Sequence, residues 1–203
     1  MSAPARRLRR LRRSELPPDT VALARYLIGS IVVRDSPEGR AAVRIVETEA
    51  YLPGDAAAHS FRGETARNRS LFRARGTAYV YLIYGTWYCL NVAAETRGVG
   101  AGVLIRAGEP ILGAALMRAR RPKSPERDLA RGPGRLAAAL AVDLRLDGVD
   151  LCGPGPLWLA APLQAGQTIG TSVRIGLTRE AHRALRFYER GSDFVSGPRR
   201  LNS

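Results

Sequence analysis

Lysine is almost missing from this chain. Lys123 is the only one among 32 basic residues, so a side-chain amine for Schiff-base chemistry has one candidate, set in the Pro/Arg-rich stretch "RPKSPERDLARGPG". Cysteine is scarce as well. Cys89 and Cys152 make no disulfide framework, and both fit a reducing cytosol as small core residues. The two histidines, His59 and His182, add no recognisable zinc spacing, so neither a metal nor another cofactor is expected. No apolar run reaches the roughly 18 residues of a membrane-spanning helix. The N-terminus, "MSAPARRLRRLRRSELPPD", has charge without the apolar core or cleavage site of a secretory signal. "GPGRL" lacks the lysine and the full glycine spacing of a P-loop, which leaves an NTPase without support. Its glycines and proline are expected to shape a turn that lets backbone amides approach phosphates.

What the chain has in excess is positive charge: 32 basic against 18 acidic residues, net +14 over 203 residues. A chain this basic meets a polyanion, either nucleic acid or an anionic membrane face, unless the excess reflects a genome-wide arginine bias. Arginine suits phosphate, because its fork of donors binds two oxygens at once. No strong amphipathic aromatic stripe speaks for a membrane surface. Residues 1–14 are expected to form a flexible basic arm, with a transit peptide as the alternative. Residues 15–203 are expected to form a single domain, since 45% hydrophobic content is enough for a packed core and no internal repeat or long linker divides the chain.

Periodicity supplies the elements. "DTVALARYLIGS" reads as a helix capped at Asp19-Thr20, and "IVVRD", "SPEGR" and "AAVRIVETEAY" as strand, turn and strand. The stretch from Leu52 to Arg75 is loop-rich, with "ETARNRSLFRARG" partly helical. "TAYVYLIYGTWYCLNVAAE" predicts a second hairpin and "GAGVLIRAGEP" another strand. "ILGAALMRARR" and "RLAAALAVD" predict helices. Short strands follow in "GVDLCGPGPLWLA" and "GTSVRIGLT". The fold class is α+β: a single domain with a curved, mostly antiparallel mixed β-sheet and peripheral helices.

Two stretches carry chemistry. In "RIVETEAY" the residues Glu47, Glu49 and Tyr51 alternate, so a strand projects all three from one face. Carboxylates are rarely buried without partners, and Glu47 is expected to pair with an arginine. In the second hairpin a three-residue loop, Tyr84-Gly85-Thr86, sets Ile83 opposite Trp87, Tyr81 opposite Cys89 and Tyr79 opposite Asn91. That register puts Tyr81 and Asn91 on one face, whereas a two-residue loop puts them on opposite faces. Tyr84 at the tip is ill-placed for the core. On a basic protein it can fold back on its loop or act as a wedge between bases. A carboxylate in an apolar aromatic pocket, with aromatic faces to grip a flat group, describes chemistry on a nucleobase drawn out of its stack.

"RIVETEAY", "DAAAHS", "ARNRSLF", "GTAYVYLIYGTWYCLNV", "GVLIRAGEP", "RGPGRL" and "LRFYERGSDFVS" resemble, in order, the motifs of the alkyladenine (3-methyladenine) DNA glycosylase family. The resemblance runs from about Leu23 to Val195. It implies a monofunctional base-excision enzyme that flips a damaged purine from double-stranded DNA and hydrolyses its N-glycosidic bond. The substrates implied are alkylated or deaminated purines such as 3-methyladenine, 7-methylguanine, hypoxanthine and ethenoadenine. Residue by residue, it implies that Glu49 activates the attacking water and that Arg106 helps to place it. Tyr51 and His59 become one wall of the base pocket and Tyr81 the other. Asn91 obstructs the amino group of normal guanine, and Tyr84 fills the gap left by the flipped nucleotide. Water is the expected nucleophile, without strand scission, because Lys123 lies far in sequence from these motifs. A monomer suffices, in the cytoplasm, on the nucleoid if the cell is bacterial. The rival from another class is a non-catalytic nucleic-acid binder that uses the same basic surface and aromatic hairpin.

Overall fold

The computed structural model describes residues 8–164 and 166–202. Eight strands form one curled sheet: β1 (Ile31–Ser36), β2 (Gly39–Tyr51), β3 (Ala78–Ile83), β4 (Trp87–Ala93), β5 (Gly102–Leu112), β6 (Leu157–Ala160), β7 (Ile169–Ser172) and β8 (Arg186–Glu189). Their order is β3-β4-β5-β2-β1-β6, with β8 joining β2 and β7 joining β8. Every ladder between these strands is antiparallel. Three short helices flank the sheet: α1 (Thr20–Tyr26), α2 (Ala114–Arg120) and α3 (Pro133–Ala139). The architecture is the expected α+β domain with a curved sheet and peripheral helices.

Local chemistry fixes the boundaries. Asp19 caps α1 by accepting from the Ala22 amide at 2.7 Å. Ile111 and Leu112, expected to open a helix, instead end β5; the helix starts after Gly113, whose φ of 71° brings the chain against Arg40. An added Cβ there would lie 2.5 Å from the Arg40 carbonyl oxygen. The third helix begins at Pro133, ahead of the expected "RLAAALAVD", because proline is well suited to a first helical turn. In the loop-rich stretch, Arg69–Phe72 forms a 3₁₀ turn.

Strand β2 is the axis of the molecule. Its first half pairs with β1 as far as Arg44, and β8 takes over the same edge at Glu47. Strand β5 runs along the other edge. The stretch from Glu47 to Glu49 is therefore flanked by strands on both sides.

The first seven residues of the expected basic arm lie outside the described residues. Residues 8–14 lie against the domain: Leu11 is fully buried, its amide donates to the Leu159 carbonyl, and the Ala161 amide donates to the Arg9 carbonyl. The Leu159 amide donates to the Leu151 carbonyl, so the outer edge of β6 is covered by both segments. Arg10 stacks on the Trp158 ring at 4.2 Å, and Arg13 pairs with Asp150 at 2.7 Å.

Candidate active site

The sheet has an apolar core face and a second face that carries the polar and aromatic groups. Along β2, Val43 and Ile45 belong to the core, yet so does Ala50, while Thr48 donates to the Ala24 carbonyl of α1. The alternation has changed parity. Its cause is a bulge at Val46, where Ile45 pairs with Gly108 and Glu47 with the adjacent Ala107. A second irregularity lies opposite: Glu47 pairs with Ala107 and Thr48 with Ile105, so Arg106 is the extra residue of β5. These two bulges turn Glu47, Glu49, Tyr51 and Arg106 away from the apolar core and towards one another.

What they build is a buried ionic cluster. Glu47 is fully buried; its Oε1 accepts from Arg106 Nε at 2.8 Å and Arg186 Nε at 2.7 Å, and its Oε2 from the Ser196 amide at 2.7 Å. Burial alone would raise the Glu47 pKa, but the two guanidiniums and the amide outweigh it and hold the carboxyl below its ordinary range. Glu49 is also fully buried. Its Oε1 accepts from the Ile175 amide at 2.7 Å and lies 3.2 Å from an Arg106 terminal nitrogen, and its Oε2 accepts the Tyr51 hydroxyl at 2.9 Å. The carboxylate thus sits among donors, rather than in the apolar pocket that the sequence reading expected. Burial opposes the Arg106 charge, yet Glu49 and Glu47 together raise its pKa above the ordinary arginine value. For Tyr51, burial first and then Glu49 push the phenol upward, so its proton stays in the bond to Glu49.

An aromatic group stands beside this cluster. The His59 ring meets Tyr81 edge-on at 4.4 Å between centroids, and its Nδ1 lies 2.9 Å from the Tyr79 hydroxyl. Tyr79 stacks on Tyr81 at 5.4 Å. A ring pair this close leaves no room for a third ring between them. His59 therefore stands with Tyr81, and the expected placing of a flat group between these two rings does not fit their contact. Burial, then Arg67, lower the His59 pKa from its ordinary 6.5, which keeps the ring neutral near pH 7. Burial pushes the Tyr79 hydroxyl up to about 12. The Tyr51 ring is backed by the Arg174 guanidinium at 4.6 Å, itself paired with Asp55 at 2.5 Å.

The second hairpin has the three-residue loop, with Ile83 opposite Trp87, Tyr81 opposite Cys89 and Tyr79 opposite Asn91. Asn91 reaches across it, donating from Nδ2 to the Tyr79 carbonyl at 3.1 Å. At the tip Tyr84 and Gly85 both have positive φ, 52° and 69°, a geometry that tyrosine rarely adopts. The Tyr84 side chain is 86% exposed, which rules out its folding back on the loop, and Trp87 beside it is 43% exposed. Trp87 packs on Gly134 of the "GPGRL" stretch, where an added Cβ would lie 3.1 Å from its ring.

A cavity of about 490 Å³ joins these parts, lined by Tyr51, His59, Tyr81, Tyr84, Asn91 and Arg106. Glu49 is not in the lining; it lies behind Tyr51 and Arg106, which hold it by hydrogen bond and ion pair. The sequence reading missed Tyr79, although it shares the Tyr81 face by simple alternation. It also missed Ile175 and the Gly132–Arg135 stretch as lining residues, which approach the cavity from distant parts of the chain. His182 is exposed, as its polar surroundings suggested. Among the described residues, no helix is long and apolar enough to cross a membrane.

The arrangement is an aromatic-lined cavity with a guanidinium in its wall and a buried carboxylate behind that guanidinium. Comparison with known proteins agrees. Residues 14–193 match the model of the family described as "Methylpurine-DNA glycosylase (MPG)". A Mesorhizobium japonicum protein named "Putative 3-methyladenine DNA glycosylase" is 65% identical over 189 residues, covering 93% of this chain and 91% of its own. Proteins with the same name from Paraburkholderia phytofirmans and Methanoculleus marisnigri are 54% and 47% identical, covering 94% and 88% of this chain and 90% and 94% of theirs. The chain belongs to the methylpurine-DNA glycosylase family and is a DNA N-glycosylase, a hydrolase.

Proposed function

We propose that this enzyme is a monofunctional glycosylase that flips a damaged purine out of double-stranded DNA and releases it by attack of water. The observation that carries the proposal is Glu49, buried behind an aromatic-lined cavity and tied to it through Tyr51 and Arg106. The purine lies between Tyr51 and the His59–Tyr81 pair. Tyr84 occupies the space it leaves in the duplex. Each carboxylate oxygen has a second lone pair, so Glu49 can hold the Tyr51 hydroxyl and still take a proton from water. That water attacks C1′ as the N-glycosidic bond breaks and its electrons pass to the purine. Glu49 also stabilises the oxocarbenium-like sugar on the way.

An alkylated purine that carries positive charge leaves as a neutral base and attracts the aromatic faces beforehand. Hypoxanthine and ethenoadenine need a proton or strong hydrogen bonds on the leaving base. Asn91, fixed across the hairpin, obstructs the amino group of normal guanine. No amine attacks the sugar, so the strand stays intact. The enzyme works as a monomer in the cytoplasm, on the nucleoid in a bacterial cell.

The test is single-turnover release from labelled duplexes that contain 3-methyladenine, 7-methylguanine, hypoxanthine or ethenoadenine, with the wild type and Glu49→Gln. The wild type releases at least one base; Glu49→Gln releases none and binds the lesion duplex as well or better. A Glu49→Gln variant that still turns over removes Glu49 from the role of base. A wild type that binds DNA without releasing any of the four overturns the substrate assignment.

A further inference from the structure

Arg186 heads the fully buried side chains of the described residues by size, and it is spent entirely on internal contacts. A guanidinium has five N–H donors. Here they meet five acceptors: Glu47 Oε1, Ser172 Oγ and the Leu201 carbonyl, then the Ser196 carbonyl and Asn202 Oδ1, at 2.6–3.0 Å. Its contacts tie the 196–202 segment to Glu47, and the Ser196 amide binds the other Glu47 oxygen. None of these groups lines the cavity apart from the last member of the chain of contacts, Arg106.

Arg106 is shared. Its Nε is on Glu47 and a terminal nitrogen is on Glu49, 2.8 Å and 3.2 Å away. A guanidinium prefers to meet one carboxylate with two parallel bonds. Freed from Glu47, Arg106 would close such a pair on Glu49, occupy its oxygens and make it a poorer acceptor for a proton. Glu47 prevents that by holding the Nε edge, and Arg186 prevents Glu47 from following Arg106. Two carboxylates and two guanidiniums also leave the buried cluster neutral, so the division costs no net buried charge.

We propose that Glu47, anchored by Arg186 and the 196–202 segment, is a positioning residue for base excision: it keeps Arg106 divided between two carboxylates and so leaves Glu49 free to act as a base. The proposal rests on the assignment of Glu49 and Arg106 made above.

Glu47→Gln keeps the shape and removes the charge. Its single-turnover release rate is expected to fall about 100-fold, the scale of a misplaced catalytic contact, with lesion-duplex affinity within a few-fold of wild type. A purely structural Glu47 would instead lower the melting temperature and leave the rate unchanged well below it, which overturns the proposal. Arg106→Lys supplies the decisive background, because lysine has no fork to close on Glu49. There the loss from Glu47→Gln should shrink to a few-fold; an equal loss on both backgrounds also overturns the proposal. If Glu47→Gln does not fold, Asn202→Ala decides. It removes one Arg186 contact made by a residue outside the cavity lining and should slow release several-fold with affinity retained, whereas a wild-type rate is contrary. Glu49→Gln runs alongside: if that variant is active, the assignment beneath the proposal fails, and if it is dead while Glu47→Gln is fully active, only the positioning role fails.

Discussion

The two ends of the cavity are built on opposite terms. At the floor and directly behind it, Arg106 and then Glu47, Glu49 and Arg186 are buried and each is held by several partners. At the rim, Tyr84 is 86% exposed on a backbone of positive φ, a conformation that costs energy in any residue except glycine. The floor is finished before a ligand arrives, as electrostatic catalysis requires, because dipoles already in place need no reorganisation during the reaction. The wedge proposed above needs a side chain that is exposed in the free protein, and Tyr84 meets that condition.

This contrast can be broken most severely at the floor, with complete loss of release expected for Glu49→Gln and about 100-fold for Glu47→Gln, both without loss of lesion-duplex binding in the single-turnover assay.

The rim should behave in the reverse manner. Tyr84→Ala is expected to reduce the ratio of lesion to undamaged duplex affinity about tenfold, while salt-sensitive binding to either duplex persists. An unchanged ratio in fluorescence titrations rejects Tyr84 as the wedge. The smallest effect concerns His59, in the aromatic group of the cavity. Burial and Arg67 lower its folded pKa below 6.5, so the unfolded chain takes up a proton first as pH falls. Stability therefore declines as pH drops through 6.5 and levels off below the folded value. In His59→Gln this part of the decline should vanish from denaturant titrations at pH 7 and pH 5; an identical slope in both proteins assigns the decline elsewhere.

The rim was the more legible end in sequence. Alternating aromatics from Tyr79 to Asn91 and a turn at Tyr84-Gly85 are local signals, and with a three-residue loop they define the register. The floor was only half legible. That Glu47, Glu49 and Tyr51 share a face follows from a period of two, but which face does not. Val46 is an apolar residue in an apolar run, and nothing in its identity marks the extra step. Arg186 carries no signal either, since its five acceptors come from β2, β7 and the 196–202 segment. The grouping of His59 with Tyr81 was likewise hidden, because a loop residue's wall depends on the path of the chain between strands. Helix starts at Ala114 and Pro133 moved from their expected places because strand pairing claimed Ile111 and Leu112, and because proline favours a first turn.

The segment before the domain has a role separate from the cavity. An antiparallel sheet that curls without closing leaves outer strands whose amides and carbonyls can recruit a second chain. Here Arg9 and Leu11, with Leu151, occupy those groups along β6. Residues that read as a polyanion-seeking arm thus close this edge of the sheet to a further strand, at the far end of the strand order from the aromatic hairpin.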